Sequence, residues 1–222
     1  MKRNACAALA VATTALCAAG CTTTTPIRAS VDSLSAFRGQ TLAIVTYDPH
    51  ARFLQYTAGA AAFGLVGALA AINSSNNLVK QYDLVNPSLR VAEKLTPLLS
   101  EKLKPSAVNP MANAPGNRTN SMLAVLAGKN GLVFDVDGGA QSLYFPFDWT
   151  HYKVQYFATA RLVDASTGKV VAQAGCNIDS DDVMSAPTYN ELYADNAALL
   201  KSKLQTDADK CVEQMTKIMF GN

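Results

Sequence analysis

Residues 152–163, YKVQYFATARLV, decide the fold, because apolar and polar residues alternate there with the two-residue period of a half-buried strand. Residues 164–169, DASTGK, follow and predict a turn in which Gly168 adopts a positive φ. Residues 170–176 then predict the returning strand of an antiparallel hairpin. We expect one face of this hairpin to be buried, with Tyr152, Val154, Tyr156, Ala158, Ala160 and Leu162 on the first strand and Val170, Ala172, Ala174 and Cys176 on the second.

Two helices are expected to cover this sheet. Thr188 and Glu191 have the spacing of a capping box and begin a helix that runs to about Phe220. Its apolar stripe has helical spacing and consists of Ala197, Leu200, Leu204, Ala208, Cys211, Met215 and Ile218. An earlier helix starts at Asn86-Pro87 and ends at Lys104, with Pro97 predicted to kink or split it.

The remaining segments complete a mixed sheet. Residues 41–47 predict a buried strand, and residues 132–134 predict another that stops at Asp135-Val136-Asp137-Gly138-Gly139. Residues 105–120 are rich in Pro and Asn and predict a long loop. The fold class is therefore α/β (α+β): one domain with a mixed sheet, a late antiparallel hairpin and covering helices.

Residues 53–72 form a run of twenty residues without a charge, mostly Ala, Gly, Leu and Val towards its end. Ala60, Gly64 and Ala68 are four residues apart, so a helix here would carry a stripe of small residues that permits close approach of another helix. Three interpretations stay open for this segment: a tightly packed buried helix, an interface with a partner or second copy, or contact with a membrane.

Composition excludes several functional classes. Hydrophobic residues make up 49% of the 222 residues and charged residues 16%, which suits a packed core and not intrinsic disorder. Basic residues number 19 and acidic residues 17; without residues 1–20, which contain Lys2 and Arg3 and no acid, the two counts are equal. That balance argues against a nucleic-acid-binding protein. Two histidines, His50 and His151, are too few for most zinc enzymes.

The N-terminus predicts export. Lys2 and Arg3 precede an uncharged, Ala-rich stretch, residues 5–16, that has the length of a signal-peptide core. Ala18-Ala19-Gly20-Cys21 resembles the bacterial lipobox, in which the cysteine is acylated and becomes the new N-terminus. The resemblance implies lipid attachment at Cys21, and Thr22 after it implies the outer membrane.

The alternative is an ordinary secretory signal cut near Ala19 or Gly20. We thus expect a signal peptide (1–20), a lipidated cysteine with a tether (21–39) and a periplasmic domain (40–222).

The cysteine count then predicts a disulfide. Cleavage removes Cys6 and Cys17 and acylation uses Cys21, which leaves Cys176 and Cys211 in an oxidising compartment. Both lie on predicted buried faces that pack against each other, so we expect them to be bonded. Two separate buried thiols are the alternative.

Residues 160–171, ARLVDASTGKVV, are similar to a hairpin of several bacterial lipoproteins, among them the curli-secretion type and the penicillin-binding-protein activators. The resemblance implies an envelope function and transfers no binding residue.

No catalytic residue, cofactor or metal site is predicted. Asp135-Val136-Asp137-Gly138 looks like half of a calcium loop but has Pro146 where the bidentate Glu would fall, and the group Asp179, Asp181 and Asp182 fails in the same way at Asn190. His151 beside Trp149 and Tyr152 is interpreted as a strand-end aromatic cluster that closes the core, with a binding feature as the alternative.

The predicted function is that of a non-enzymatic envelope lipoprotein. It would be held to the membrane by acyl chains and act as an accessory or assembly factor through an envelope protein partner or self-association. One alternative is an oligomeric secretion or pore component that uses residues 53–72. The other is a periplasmic small-ligand binder with the 105–120 loop as a lid.

Overall fold

The strands of the computed structural model are β1 (Thr41–Val45), β2 (Phe53–Tyr56), β3 (Ala107–Met111), β4 (Leu132–Phe145), β5 (Asp148–Asp164) and β6 (Val170–Asp179). The structure describes residues 25–45, 47–111, 119, 123, 128, 130–179 and 181–221. The strands form one mixed sheet in the order β3-β1-β4-β5-β6, and β2 pairs with the second half of β4. Parallel pairing joins β1 to β3 and β4, and β2 to β4, whereas β4, β5 and β6 are antiparallel.

The helices are α1 (Val31–Ser35), α2 (Ala58–Ala62), α3 (Gly64–Tyr82), α4 (Pro87–Leu103) and α5 (Tyr189–Phe220). α4 packs on β4, α5 packs on β5 and β6, and α3 packs on β2. The predicted α/β class with a mixed sheet and a late hairpin is confirmed. Its main core lies between the sheet and the helices, and a smaller cluster on the other side of the sheet contains Val45, Tyr47, Leu123, Val133, Val163 and Ala165.

The β5–β6 hairpin has the predicted alternation except at Val170. The register shifts between Leu162 and Val163, so Val170 pairs with Val163 and packs with the smaller cluster, not on the face of Ala172, Ala174 and Cys176. Tyr156, Ala160 and Leu162 of β5 are fully buried, and Gly168 in the turn has a φ of +70°. Cys176 on β6 and Cys211 on α5 lie with their Cα atoms 5.5 Å apart and are joined by a disulfide. The bond therefore fastens the last helix to the edge of the sheet that it covers.

Both helix starts are as expected, and both helix interiors differ from the prediction. The Asn86 side chain accepts a hydrogen bond from the Ser88 N–H at 3.0 Å, and Thr188 forms the capping box. α4 runs through Pro97 to Leu103, so the predicted split is absent. The last helix leaves helical geometry at residues 194–197, where three consecutive residues have positive φ.

β4 does not stop at Asp135, and the side chains explain why. Its carboxylate lies inside the protein and accepts hydrogen bonds from the Tyr47 hydroxyl and from Arg161, whose Nε is 2.9 Å away. The acid is thus a paired strand residue and not a turn residue. At Gly138, an added Cβ would lie 2.6 Å from the Phe157 carbonyl oxygen and 2.7 Å from the Ser88 hydroxyl, so glycine allows α4 to approach the strand.

The predicted 105–120 loop is wrong for its first part, because residues 107–111 form β3. This strand pairs in parallel with β1, from Thr41 opposite Ala107 to Val45 opposite Met111. The Asn and Pro residues in this stretch favoured a loop prediction, and the strand depends on a partner that lies more than sixty residues away in the sequence. Residues 112–118 and 120 lie outside the described ranges.

The described part of the predicted tether is attached to the domain. Ile27 and Gln173 of β6 exchange backbone hydrogen bonds of 2.8 Å in both directions, in an antiparallel bridge. The Ala29 N–H donates to the Met219 carbonyl at 3.0 Å, and α1 follows. We call residues 25–29 the strap. The strap is therefore part of the folded domain.

Candidate interaction surface

Three segments with exposed apolar side chains meet at one end of the sheet. They are the α2–α3 hairpin, the turn from β4 to β5, and the segment 181–187 that follows β6. β2, β4 and β6 all run toward this end, so the chain leaving each strand emerges on the same side. Each of the following side chains is more than half exposed, and together we call them the apolar end surface: Phe63, Leu65, Val66, Leu69, Phe147, Trp149 and Met184.

The α2–α3 hairpin projects past the strands. The Gln55 N–H on β2 donates to the Ser75 hydroxyl at 2.7 Å, which fixes α3 against β2 at that level. α3 runs back along the sheet from there, and Val85 just after it bridges to His50 ahead of β2. The residues of α3 before Ser75 therefore extend about 16 Å the other way, beyond β2.

The stripe of small residues holds this hairpin together. Residues 53–72 do not form one helix, because they divide into β2, α2 and the first half of α3. Ala60 lies on α2, whereas Gly64 and Ala68 lie on α3, and an added Cβ on Gly67 would be 1.9 Å from the Ala60 carbonyl oxygen. Close approach is thus used within the chain, between α2 and α3.

The interpretation of this segment as a tightly packed buried helix is wrong. Leu65 and Val66 are more than 70% exposed at the start of α3, and Ile72 is half exposed further along. Two interpretations stay open: an interface with another protein, or a membrane contact.

The β4–β5 turn adds the aromatic part of the surface. Phe147 is fully exposed with a φ of +70°, and Trp149 is 69% exposed. The prediction that Trp149 helps to close the core is therefore wrong. Tyr152 does so, since it is buried and contacts the ring of Tyr189 with centroids 5.9 Å apart.

Charges beside the apolar end surface have partners. The His151 Nδ1 lies 2.7 Å from an Asp148 carboxylate oxygen. Hydrogen bonds from Thr150, and then from His151, lower the pKa of Asp148 to about 2. On the β6 side Asp181 pairs with Lys203. Residues 53–79 contain no charged residue, so the projecting hairpin is electrically neutral.

The carboxylates that resembled calcium ligands are used within the protein. Asp137 pairs with Arg52, and Asp179 pairs with Lys153 at 2.6 Å. Burial raises the pKa of Asp135, an effect opposed by the neighbouring Arg161. Among the residues that the structure describes, no group of three metal-ligating side chains was found.

A cavity of about 260 Å³ lies between α4, α5 and the chain before α4, and Leu84, Arg90 and Leu204 are among its lining residues. Its lining residues lie within 83–93 and 201–205. Most of the predicted lid, residues 112–118 and 120, lies outside the described ranges, so the lid stays a prediction.

The helices in the described ranges were also tested as membrane spans. None of them is both long enough and apolar enough to cross a bilayer.

No protein-family model matches the chain, and no curated protein matches it. A neuraminyllactose-binding hemagglutinin homolog from Helicobacter pylori has a TM-score of 0.35 at 10% identity, over 82% of this chain and 85% of its own. The PelC dodecamer from Paraburkholderia phytofirmans has a TM-score of 0.32 at 11% identity, over 89% and 97%. Lipoprotein GNA1162 from Neisseria meningitidis has a TM-score of 0.25 at 14% identity, over 77% and 99%. At these scores the likenesses carry no functional argument for this chain.

Proposed function

We propose that the protein is a bacterial envelope lipoprotein that acts by contact and not by catalysis, as an accessory or assembly factor. The apolar end surface carries this proposal. Seven large apolar side chains that are more than half exposed at one end of a domain are typical of a protein or membrane interaction site. Leu65 and Val66 lie on α3, and Trp149 lies at the start of β5. The fold brings these separate segments to the same end of the sheet, and the side chains stay exposed there.

The proposed anchor is an acylated Cys21 in the outer membrane. A single acyl chain binds a membrane only marginally, whereas several chains hold a protein stably. Confinement to two dimensions raises the effective concentration of the domain for any partner in the same membrane. The domain therefore needs only modest affinity for such a partner to stay engaged.

We expect the mature protein to begin with acyl-Cys21 and to partition into the detergent phase on phase separation. Mass spectrometry of the N-terminal peptide measures the modification directly. The matched control is Cys21→Ser, which removes the thiol and should leave the chain unacylated. An unmodified N-terminal residue on a protein found wholly in buffer would contradict the anchor.

A second candidate function is that of an oligomeric secretion or pore component. It is favoured by the projecting α2–α3 hairpin, whose Phe63 and Leu65 a neighbouring copy would cover, and it agrees with the hairpin resemblance to curli-secretion lipoproteins. Size exclusion with light scattering in detergent separates the two functions. A strict monomer would remove the oligomeric component, whereas a ring or other oligomer that Leu65→Asp disperses would support it.

A further inference from the structure

We propose that the apolar end surface lies on the bilayer that holds the anchor, so that lipid is its partner. This inference rests on the proposed acylation of Cys21 and adds an orientation to it: the domain stands on the membrane with β2, β4 and β6 pointing toward the lipid. The first argument is the direction of the strap, and the second is the chemistry of the surface.

The strap points the anchor toward the apolar end surface. Ile27 pairs antiparallel with Gln173, and the Thr25 carbonyl accepts a hydrogen bond from the Gln173 side chain at 3.0 Å. Since β6 runs toward this surface, the chain traced backward from Ile27 to Thr25 also runs toward it. The N-terminal segment therefore leaves the domain heading for the end that exposes the apolar side chains.

The distance from strap to anchor is short. Four residues separate Thr25 from Cys21 in chain position, and they reach at most about 14 Å. From the bridge at Gln173, the end of β6 at Asp179 is about 20 Å away along the strand. Because Thr25 already lies beyond the bridge in that direction, a fully extended link brings the acyl chains to about the level of the end of β6. The β5–β6 turn lies at the opposite end of the sheet, and the chain from Ile27 to Thr25 runs away from it.

The chemistry of the surface suits a neutral lipid interface. Tryptophan prefers the boundary between headgroups and acyl chains, where its apolar ring is buried and its N–H stays hydrated. Trp149 is exposed in this position, next to the fully exposed Phe147. The absence of charge in residues 53–79 means that binding would not depend on anionic headgroups.

A second copy is the competing occupant. In every acylated copy, however, the short link keeps this surface turned toward lipid. Burial against the bilayer also gives the acyl anchor the second membrane contact that makes attachment firm.

Trp149 provides the test, because it is the only tryptophan in the chain. The full acylated protein is reconstituted into vesicles of phosphatidylethanolamine and phosphatidylglycerol, with or without brominated acyl chains. We expect blue-shifted Trp149 emission that brominated lipid quenches by about half, since an interfacial indole lies within contact of the bromines. Salt at about 0.5 M should leave the quenching unchanged, because no exposed ion pair with lipid is involved.

Matched variants locate the contact. The double variant Leu65→Asp, Val66→Asp places two charges on the exposed hairpin and should remove most of the quenching. Val31→Asp changes a side chain that is equally exposed but lies on α1. In this variant brominated lipid should quench the Trp149 emission as much as in the unchanged protein. Both sets of positions are solvent-exposed, so neither variant disturbs the core.

Three results would overturn the inference. Unshifted, unquenched Trp149 emission from protein with acyl-Cys21 would reject the orientation and leave the proposed anchor standing. A blue shift without bromine quenching, together with cross-links between chains, would assign the surface to a second copy. Absence of the acyl group would remove the proposed anchor, and the orientation with it.

Discussion

Replacing both Cys176 and Cys211 by alanine is expected to lower the free energy of unfolding by about 3–4 kcal/mol, the chain-entropy value for a loop of this size. The two residues are 35 positions apart in the chain, and both are buried between β6 and α5. Without the bond, the unfolded chain gains freedom, while the folded protein keeps helix and hairpin in contact through their apolar faces. The melting temperature should fall by roughly 10 °C for a domain of this size.

Urea unfolding with and without reductant measures this effect. Reductant should shift the unchanged protein to a lower midpoint, close to that of the double variant, and should leave the double variant where it is. Because the double variant lacks the disulfide, any change in its midpoint on adding reductant measures the other effects of the reductant. Equal midpoints in all four samples would show that the bond does not contribute to stability.

Alkaline pH is expected to unfold the domain cooperatively, because buried tyrosines, chiefly Tyr47, Tyr156 and Tyr193, stay protonated only in the folded state. Burial is the largest cause that raises the pKa of Tyr47, Tyr156 and Tyr193. The carboxylate of Asp135 adds to the effect at Tyr47, and neighbouring tyrosines add to it at Tyr193.

The direction of the pH dependence follows from these raised pKa values. Below about pH 10 the phenols are neutral in both states, so the stability they support is fully present. Above about pH 10 the unfolded chain ionises and the folded chain does not, so each group lowers stability by about 1.4 kcal/mol per pH unit. Three such groups offset a typical free energy of unfolding of about 5–15 kcal/mol within about one to four pH units.

Tyrosinate absorbance and circular dichroism, followed together, check this prediction. Part of the absorbance change should coincide with the loss of secondary structure. Tyr156→Phe keeps the ring and removes one phenol, so the dependence of stability on pH should become weaker, by at most about one third. Ionisation of all eight tyrosines near pH 10 with an unchanged dichroism spectrum would contradict the mechanism.

Local patterns predicted the parts of the fold that are held by local interactions. The β5–β6 hairpin and the caps at Asn86 and Thr188 each depend on residues that are close in sequence, so their alternation and spacing are visible there. The same applies to the facing positions of Cys176 and Cys211, once the hairpin and the last helix are assigned.

Elements that depend on distant partners were missed. β3 contains Pro110 and is a strand only because it pairs with β1. β4 continues past Asp135 because Arg161 and Tyr47, both remote in sequence, supply the partners that a buried carboxylate needs. β2 has four residues, and nothing local distinguishes it from the uncharged run that follows.

The sequence predicted only one of the segments that form the apolar end surface. The absence of charge singled out residues 53–72, and the small residues in it predicted a close approach between helices. That Phe147, Trp149 and Met184 join this segment depends on the parallel course of β2, β4 and β6, which no pattern near those residues reveals.

The strap also protects the domain from other chains. β6 is the last strand on its side of the sheet, and an open strand edge offers backbone groups to which foreign strands add, which leads to aggregation. Ile27 occupies that edge at Gln173. Proteolytic nicking between Ile27 and α1 would therefore separate the domain from the proposed anchor and uncover the edge at Gln173 in the same event, so we expect the released fragment to associate edge to edge more readily.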